Sequence, residues 1–515
     1  MASAPTNVED APRQRWEKPN YLRTADVIVR AARSLGLATR VFDALTAGDG
    51  RTDLHGIPRP NVIVDLDVGA QERVLVLAHF DVVPVPAEQL ARWKSPPHTL
   101  TYRADGRLYG RGAADDLGSG VVASLLAMKR LAEGGAPSPR NVRLLACCDE
   151  ETGGTGGIDA LREHDHLLAA DDPERIVSGD VALIPDGSPE TIAGSSGIAV
   201  LDGSFSDAVP LRDAVAFGAT LVGLHELART WKSVYASPDW PDRHAPEPVL
   251  TGRATVTRFD LTGVAPDPGH IRLLAAHAEN DAANQIARAV TLALSGPEEE
   301  IAILRDRLGP LVPPPYRLEP AGATALAIPP GAHALQLVGE SGHGGYPHRA
   351  HNPVPIVLTL LRAAIDRAWL DGRATGRATF VVDLRLPPEM ELESGLPAAL
   401  EFVRSWAKVH APTARIDAPA SRSRAGYALA PDDPNAIKLE AILAEIFGVH
   451  GVRGEYGGTD ASALRGLLTP RGRPLPALVF GCMEPESHIH EAEESADPAK
   501  IAGVARAIER FVREP

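Results

Sequence analysis

Four short runs of apolar residues, each of strand length, recur along the chain. They cover residues 74–78, 142–148, 181–184 and 477–480. Apart from Arg143, each run is continuous rather than alternating, which is typical of a strand that is covered on both faces, as in a parallel sheet. Apolar residues at helical spacing predict helices at 21–37, 121–135, 434–447 and 499–512. The outer parts of the chain therefore predict an α/β domain with helices on both faces of its sheet.

The middle of the chain predicts a second domain. Strand patterns at 198–201, 334–338 and 378–384 alternate there with helix patterns at 355–369 and 396–409. Such alternation predicts an α/β sandwich inserted into the first domain. The predicted boundaries are 1–194 and 430–515 for the two parts of a catalytic domain and 195–429 for the inserted domain. The inserted domain itself contains a long insertion at about 207–330, with helices predicted at 215–231 and 271–294.

Ionisable side chains follow the ends of all four apolar runs. They are His79 and Asp81, Glu150 and Glu151, Asp186, and His488 with His490. Another acid, Asp115, precedes the helix predicted at 121–135, where exposed N–H groups and the helix dipole favour negative charge. In open α/β sheets, ligands bind in the crevice at the carboxyl ends of the strands. The sequence therefore predicts that these side chains meet at one edge of the sheet.

Imidazole and carboxylate groups of this kind are ligands for zinc, and cobalt or manganese would also be accommodated. If Asp115 bridges two ions, the other four candidates, His79, Glu151, Asp186 and His490, divide evenly, with one imidazole and one carboxylate for each ion. Two such ions would make a bridging water acidic enough to react near neutral pH. Glu150 is then a candidate general base, and Asp81 a candidate acceptor for the other ring N–H of His79.

Composition and charge exclude several classes of function. The formal net charge of −15 leaves no general basic surface for nucleic acid or for an anionic membrane. No apolar run is long enough to span a bilayer, and the first twenty residues lack the apolar core of a signal peptide. We therefore expect a cytoplasmic protein that binds neither nucleic acid nor membrane. Cys147 and Cys148, adjacent in an apolar run, are expected to be buried thiols.

Six segments resemble the signature blocks of the M20 metallopeptidases, a family of dinuclear-zinc exopeptidases and amidohydrolases. In chain order they are LVLAHFDVVP, WKSPPHTLTYRADGRLYGRGAADDLG, DEETGGTGG, PDG, YGGTDASALRG and IHEAEES. The resemblance implies a zinc-exopeptidase-like mixed sheet with helices on both faces and an inserted α/β sandwich that acts as a lid. It also implies two Zn²⁺ ions per subunit, with Co²⁺ or Mn²⁺ as alternatives.

The resemblance also assigns the metal ligands by position. The implied ligands are His79, Asp115, Glu151, Asp186 and His490. One ion would be bound by His79 and Asp186 and the other by Glu151 and His490, while Asp115 would bridge the two.

Catalytic roles are implied for two further residues. Glu150 would be the acid and base of the reaction, and Asp81 would support the first metal-binding histidine. For the second ion, His490 is preferred to His488 because Glu494 follows it by four residues, as in the family's HxxxE pattern.

The lid block LVGESGHGGYPHRAHNPVPIVLTLL carries a further resemblance. It implies that His343 reaches a catalytic centre and stabilises the tetrahedral oxyanion. The implied substrate-binding residues are Arg385, Asn352, Gly458 and Thr459. The bidentate guanidinium of Arg385 suits a substrate carboxylate, and a structural salt bridge with Asp383 is the alternative.

The function expected from these residues and this resemblance is that of a dipeptidase. It would cleave the amide bond of a small peptide with metal-activated water and a glutamate base. Hydrolysis of an N-acyl amino acid, or of a C-terminal residue, is the alternative within the family. The alternative of another class is a catalytically silent relative that binds an amino acid or scaffolds a partner. The chain would form a homodimer through the lid, or stay a monomer if the insertion mimics a second lid.

Overall fold

A computed structural model describes residues 19–44, 57–85, 87–135, 137–151, 153–169, 172–237, 248–267, 269–280, 283–322, 326–347 and 350–514. The chain divides into two compact units. The first consists of Met1–Ser195, Tyr427–Gly454 and Thr459–Pro515, and the second of Ser196–Gly426 and Glu455–Gly458. Most of the N-terminal segment in which no signal peptide is expected, residues 1–18, lies outside the described ranges.

The helices and strands follow one another in three groups. Up to residue 195 they are α1 (Pro19–Ser34), β1 (Ala38–Asp43), β2 (Pro60–Leu66), β3 (Arg73–His79), α2 (Ala87–Leu90), β4 (Thr101–Tyr102), β5 (Leu108–Tyr109), a π-helical stretch (Asp116–Val122), α3 (Ala123–Glu133), β6 (Asn141–Cys147), α4 (Ile158–His166), β7 (Val181–Ile184) and β8 (Thr191–Ser195). The second unit then contains β9 (Gly197–Phe205), β10 (Val209–Pro210), α5 (Leu211–Ala228), β11 (Lys232–Ala236), β12 (Val249–Thr251), β13 (Arg253–Thr262), β14 (Arg272–Ala278), β15 (Gln285–Ile286), β16 (Ala289–Ser295), α6 (Glu298–Leu308), β17 (Arg317–Pro320), β18 (His333–Val338), β19 (Gly342–His343), α7 (Pro353–Asp366), β20 (Thr375–Leu386), α8 (Leu392–His410), β21 (Ala414–Asp417) and β22 (Ser423–Arg424). The last group is β23 (Tyr427–Ala428), α9 (Pro434–Phe447), β24 (Val452–Glu455), β25 (Ala477–Val479), β26 (Ser495–Ala496) and α10 (Pro498–Arg513), with short 3₁₀ turns at Asp460–Leu464 and Pro485–Ser487.

The first unit is built on a mixed sheet with the strand order β1-β2-β6-β3-β7-β25-β8-β23. Its four central strands, β6, β3, β7 and β25, run parallel to one another. They are the four strands predicted from the continuous apolar runs, and that prediction is confirmed. The antiparallel strands β1, β2, β8 and β23 complete the two sides of the sheet.

Burial along β3 shows why its apolar run is continuous. The side chains of Val74, Leu75, Val76 and Leu77 are all fully buried, although successive residues of a strand point to opposite faces. Leu75 and Leu77 belong to an apolar cluster that also includes Ile158 of α4. Elsewhere in the unit, α10 packs against α3 and α9. The sheet is therefore covered on both faces, as predicted.

The second unit is built on a ten-stranded sheet whose main path is β17-β18-β16-β14-β13-β20-β9-β21, antiparallel throughout. One half, β9-α5-β13-β20-α8-β21, has the strand order β13-β20-β9-β21. The other half contains β16-α6-β17-β18-α7 and has the strand order β17-β18-β16-β14. Here β17, β18 and β16 correspond to β13, β20 and β9. The edge position that β21 occupies in the first half is taken by β14, which comes before β16 in the chain. The two halves thus share one arrangement and are joined where β13 pairs with β14.

The prediction of a helix over residues 271–294 is wrong. The structure places β14, β15 and β16 there, and every residue of β16 is buried. The segment is rich in alanine and leucine, so its composition favours a helix, but pairing with neighbouring strands overrides that preference. The helix predicted at 215–231 is confirmed as α5.

Two further expectations concern burial and membranes. Cys147 and Cys148 are buried at the end of β6, as predicted. Among the described helices, none combines the length and the apolar character that crossing a bilayer requires.

Candidate metal centre

The carboxyl ends of β6, β3, β7 and β25 lie at one edge of the first unit's sheet, because these neighbouring strands are parallel. His79 is the last residue of β3, Glu150 and Glu151 follow β6, and Asp186 follows β7 by two residues. Asp115 directly precedes the π-helical stretch Asp116–Val122. The topology therefore gathers residues that are far apart in the sequence.

These residues form two groups that share one aspartate. The first group is His79, Asp115 and Asp186, and the second is Asp115, Glu151 and His490. In the second group, Nε2 of His490 lies 3.0 Å from Oδ2 of Asp115 and 3.1 Å from Oε1 of Glu151. In the first, Nε2 of His79 lies 3.8 Å from Oδ2 of Asp186. The structure thus brings together all five predicted ligands in the two predicted sets.

The donor atoms fit divalent cations. Within each group the three ligand atoms lie within 4.8 Å of one another. Zinc bonds to nitrogen and oxygen are about 2.0–2.2 Å long, so two donors on one ion are at most about 4.4 Å apart. Small side-chain adjustments therefore suffice for each group to close on an ion, and each group offers one imidazole and two carboxylates.

The buried carboxylates of the two groups favour the binding of positive charge between them. Burial raises the pKa of Asp186 well above its ordinary value, and the nearby carboxylate of Asp115 raises it further. Burial acts on Asp115 in the same direction, but hydrogen bonds with His490 and Asp186 hold its pKa well below the ordinary range. Burial lowers the pKa of His490, yet Glu151 and Asp115 together raise it well above its ordinary value. Neighbouring buried carboxylates of this kind are stabilised when cations bind between them.

Burial raises the pKa of Glu150 to about 8, against the opposing effect of His79 and with the help of Asp460 and Glu151. Oε2 of Glu150 lies 3.9 Å from Nε2 of His79. A buried carboxyl group with a strongly raised pKa beside candidate metal ligands is a feature by which functional acids and bases are recognised.

The profile of a family described as Peptidase family M20/M25/M40 matches residues 75–514. The chain belongs to this family. The fold class and the family predicted from the sequence are thereby confirmed.

Individual relatives resemble shorter parts of the chain. A Cys-Gly metallodipeptidase of Schizosaccharomyces pombe is 32% identical over 151 residues, which are 28% of this chain and 30% of the relative. A succinyl-diaminopimelate desuccinylase of Delftia acidovorans is 44% identical over 107 residues, 19% of this chain and 26% of the relative. The crystal structure of human carnosine dipeptidase 1 aligns with a TM-score of 0.53 at 15% identity, covering 99% of this chain and 93% of that one. The two curated relatives are thus matched over less than a third of their length, whereas the fold matches throughout.

Two buried ion pairs next to the candidate ligands were not predicted from the sequence of this M20 family member. Nε of Arg59 lies 3.1 Å from Oδ1 of Asp149, the residue before the Glu150 and Glu151 pair. Asp149 has φ of 77° and accepts a hydrogen bond from the backbone N–H of Gly156, which fixes the turn that carries these glutamates. The only signal for Asp149 in the sequence was its position between a buried strand and two glutamates.

The second missed pair is Arg111 with Glu494, whose side chains are both fully buried. Nη1 of Arg111 lies 2.8 Å from Oε2 of Glu494. Arg111 lies inside a segment that resembles the family, and Glu494 ends the HxxxE pattern, but nothing in the sequence indicates that the two are partners.

In the second unit, His343 and Asn352 make local contacts. The backbone N–H of Gly345 donates to Nδ1 of His343 at 3.1 Å. Since a backbone N–H can only donate, a neutral His343 carries its proton on Nε2, the form that can donate to an oxyanion. Asn352 caps α7: its Oδ1 accepts from the N–H of Val354, and its Nδ2 donates to the carbonyl of Val256.

The other predicted substrate-binding residues also have internal roles. Arg385 is 1% exposed and binds Asp383 with two parallel hydrogen bonds, at 2.7 and 2.9 Å, which is the alternative considered for it. Thr459 is buried and its Oγ1 accepts from the N–H of Ala461 at the start of a 3₁₀ turn. Gly458 is exposed, and a Cβ there would lie 2.3 Å from the Ile198 side chain. Their roles in substrate binding stay predictions.

Proposed function

We propose that this M20 family member is a dinuclear metal hydrolase that cleaves the amide bond of a small peptide, with a dipeptide as the leading substrate. One observation carries the proposal: two groups of one histidine and two carboxylates share Asp115 at the carboxyl edge of the sheet. The group of His79 and Asp186 would hold one ion, and the group of Glu151 and His490 the other. We propose zinc for both, because imidazole with carboxylate oxygen is a ligand set that zinc accepts.

When bound, two divalent ions would lower the pKa of a water and polarise the carbonyl oxygen of the scissile amide. Glu150 would take the proton from that water and deliver it to the leaving amine, a transfer for which a pKa near neutrality is suited. Asp81 would keep His79 and the backbone of the Glu150 turn in place. We keep His343 as the proposed donor to the oxyanion, supported by its Nε2–H form.

The substrate proposal is supported by the relative named as a Cys-Gly metallodipeptidase. A second candidate is the hydrolysis of an N-acyl amino acid. It is favoured by the relative named as a succinyl-diaminopimelate desuccinylase, whose matched segment is 44% identical. Both reactions break an amide bond and need the same metal chemistry, and they differ in the group on the other side of that bond.

We also infer that the chain acts as a monomer. The insertion supplies β14, β16 and β17, most of a half-sheet that repeats the arrangement of the first half. A second lid half within one chain would take the place of a partner's lid. Light scattering should therefore give the mass of one chain, and a stable dimer would contradict the inference.

The experiment for the activity is a reconstitution assay. The protein is stripped with a chelator and then given Zn²⁺, Co²⁺ or Mn²⁺ in two equivalents. A panel of dipeptides is assayed beside N-acetyl and N-succinyl amino acids. We expect metal-dependent turnover that is fastest on a dipeptide. Faster turnover of the N-acyl amino acids selects the second candidate, and the absence of turnover on every substrate contradicts the proposed function.

A further inference from the structure

The loop that carries His490 has an unusual backbone. His488, His490 and Glu493 have φ values of 51°, 63° and 68°, in the left-handed region that residues with a side chain rarely occupy. This conformation is unfavourable for such residues, so it persists only where surrounding contacts hold it. The contacts that hold this loop therefore decide where the His490 imidazole lies.

Arg111 provides the most deeply buried of these contacts. Besides the ion pair with Glu494, its Nη2 donates to the carbonyl oxygen of His490 at 3.2 Å and to Oε1 of Gln89 at 2.9 Å. Gln89 in turn donates from Nε2 to the same carbonyl of His490 at 3.3 Å. One guanidinium thus holds the loop at His490 and again four residues later.

The same arginine belongs to the segment that carries the shared aspartate. Asp115 follows Arg111 by four residues, and the N–H of Gly110 donates to the carbonyl of Glu494 at 3.0 Å. Next to this hydrogen bond, β5, which ends at Tyr109, pairs with β26, which begins at Ser495. Arg111 therefore connects this segment to the loop of His490, a ligand of the second group only, through a buried charge.

The first group is held in another way. His79 is the last residue of β3, and Asp186 follows β7, so both are fixed by the parallel sheet itself. His490, by contrast, lies in a loop between the turn Pro485–Ser487 and β26. The two groups should therefore differ in how much they depend on Arg111.

We propose that Arg111 is a positioning residue for the ion of the second group, which it serves by holding the His490 carbonyl and the Glu494 carboxylate. The proposal rests on the proposed dinuclear centre. It predicts that loss of the guanidinium weakens one ion and leaves the other nearly unchanged. Replacement of a residue that orients a metal ligand typically lowers affinity by about 10–100-fold.

The test variant is Arg111→Lys, which keeps the charge but loses the planar fork that reaches three acceptors. The control is Arg143→Lys. Arg143 is also buried and binds the Asp65 carboxylate with two hydrogen bonds, while its Nη1 donates to the carbonyls of Arg175 and Ile176. The control thus loses the same kind of contacts away from the proposed centre.

Zn²⁺ binding is measured for both variants by competition with a chromophoric chelator, and thermal unfolding is followed in parallel. For Arg111→Lys we expect one Zn²⁺ bound as in the wild type and the second bound at least tenfold more weakly. For Arg143→Lys we expect a lower melting temperature with two wild-type affinities. Unchanged affinities in Arg111→Lys, or an equal loss of both ions, would overturn the proposal.

If Arg111→Lys does not fold, Gln89→Leu removes the second donor to the His490 carbonyl. A selective weakening of one ion in that variant supports the proposal, and two unchanged affinities contradict it. If the wild-type protein itself fails to bind two Zn²⁺ ions, the proposed function fails, which the measurement on the wild type shows before any variant is compared.

Discussion

Nδ1 of His79 lies 3.4 Å from Oδ1 of Asp81, just beyond the end of a buried strand. The same carboxylate accepts hydrogen bonds from the backbone N–H groups of Glu150 and Glu151, both at 3.1 Å. Nδ1 of His79 forms its hydrogen bond with the backbone carbonyl oxygen of Asp81, at 3.3 Å, so the ring carries its proton there and presents the Nε2 lone pair to a metal. One buried aspartate thus orients a proposed ligand and fixes the turn that carries a proposed base and another ligand.

The first prediction concerns this aspartate. In Asp81→Asn, one oxygen becomes an NH₂ group that faces a hydrogen-bond donor, so one contact is lost and a buried polar group is left unpaired. We expect a loss of about 1–3 kcal/mol in the free energy of unfolding. We also expect Zn²⁺ affinity to fall about 10–100-fold. Chemical denaturation and chelator competition measure the two effects, and wild-type affinity for both ions would contradict the role of Asp81.

The second prediction separates the base from the ligands. Glu150→Gln keeps the shape of the side chain but removes its ability to take a proton. We expect two Zn²⁺ ions to remain bound while kcat on a dipeptide falls by about 10²–10⁴. Glu174→Gln, which changes an exposed glutamate that pairs with Arg40, is the control and should leave kcat unchanged. Retained activity in Glu150→Gln would remove this residue from its role.

The two candidate metal groups could be predicted because most of their residues follow strands that are recognisable one at a time. Continuous apolar runs identify parallel strands, and parallel strands place residues such as His79 and Asp186 at one edge without knowledge of the full topology. His490 could be selected only through the resemblance, since its loop has no periodic pattern.

The supporting ion pairs could not be predicted in this way. Arg59 and Asp149, or Arg111 and Glu494, are ordinary charged residues in the sequence, and only the folded chain shows that both partners are buried together. The same holds for Arg385, whose guanidinium could have served a substrate or Asp383. The partner of each charged side chain depends on which residues are close to it in the folded chain, and a sequence pattern does not contain these distances.

The strand order of the second unit could not be predicted from the sequence either. The segments of β14 and β16 are apolar on both sides and too short to show a period, so they resemble parts of a buried helix. Their strand character comes from pairing, β14 with β16 and β16 with β18. The repetition of one arrangement in two half-sheets becomes visible only from the strand order.

The third prediction concerns pH. Burial raises the pKa of Glu150 from 4.5 to about 8 in the absence of metal. A carboxyl group whose pKa is higher in the folded state stabilises the fold fully below its unfolded value, and this contribution is lost as the pH rises through the folded value. In chelator, the wild type should therefore lose more stability than Glu150→Gln between pH 4.5 and about 8. Melting temperatures across this range measure the difference, and parallel curves would count against the raised pKa.

The fourth prediction concerns the lid histidine. His343→Ala removes the Nε2–H donor, and removal of an oxyanion donor typically lowers kcat by about 10²–10³. His343 is partly exposed, so stability should change little. His351→Ala is the matched control, because this histidine of the same unit is 43% exposed and lies beside Glu340. Equal rates for the two variants would refute the assignment of His343.

The fifth prediction decides between the two loop histidines. His488 and His490 both have positive φ, so a glycine at either position relieves the same kind of backbone strain, and neither variant is destabilised through its backbone. Only His490 has an imidazole nitrogen beside Asp115 and Glu151. We therefore expect His490→Gly to lose the second Zn²⁺ ion and the activity, whereas His488→Gly keeps both. Metal content per chain, measured by mass spectrometry after gel filtration, distinguishes the two variants. If His488→Gly loses one ion instead, His488 and not His490 is the metal ligand, because the two variants differ in which imidazole is removed.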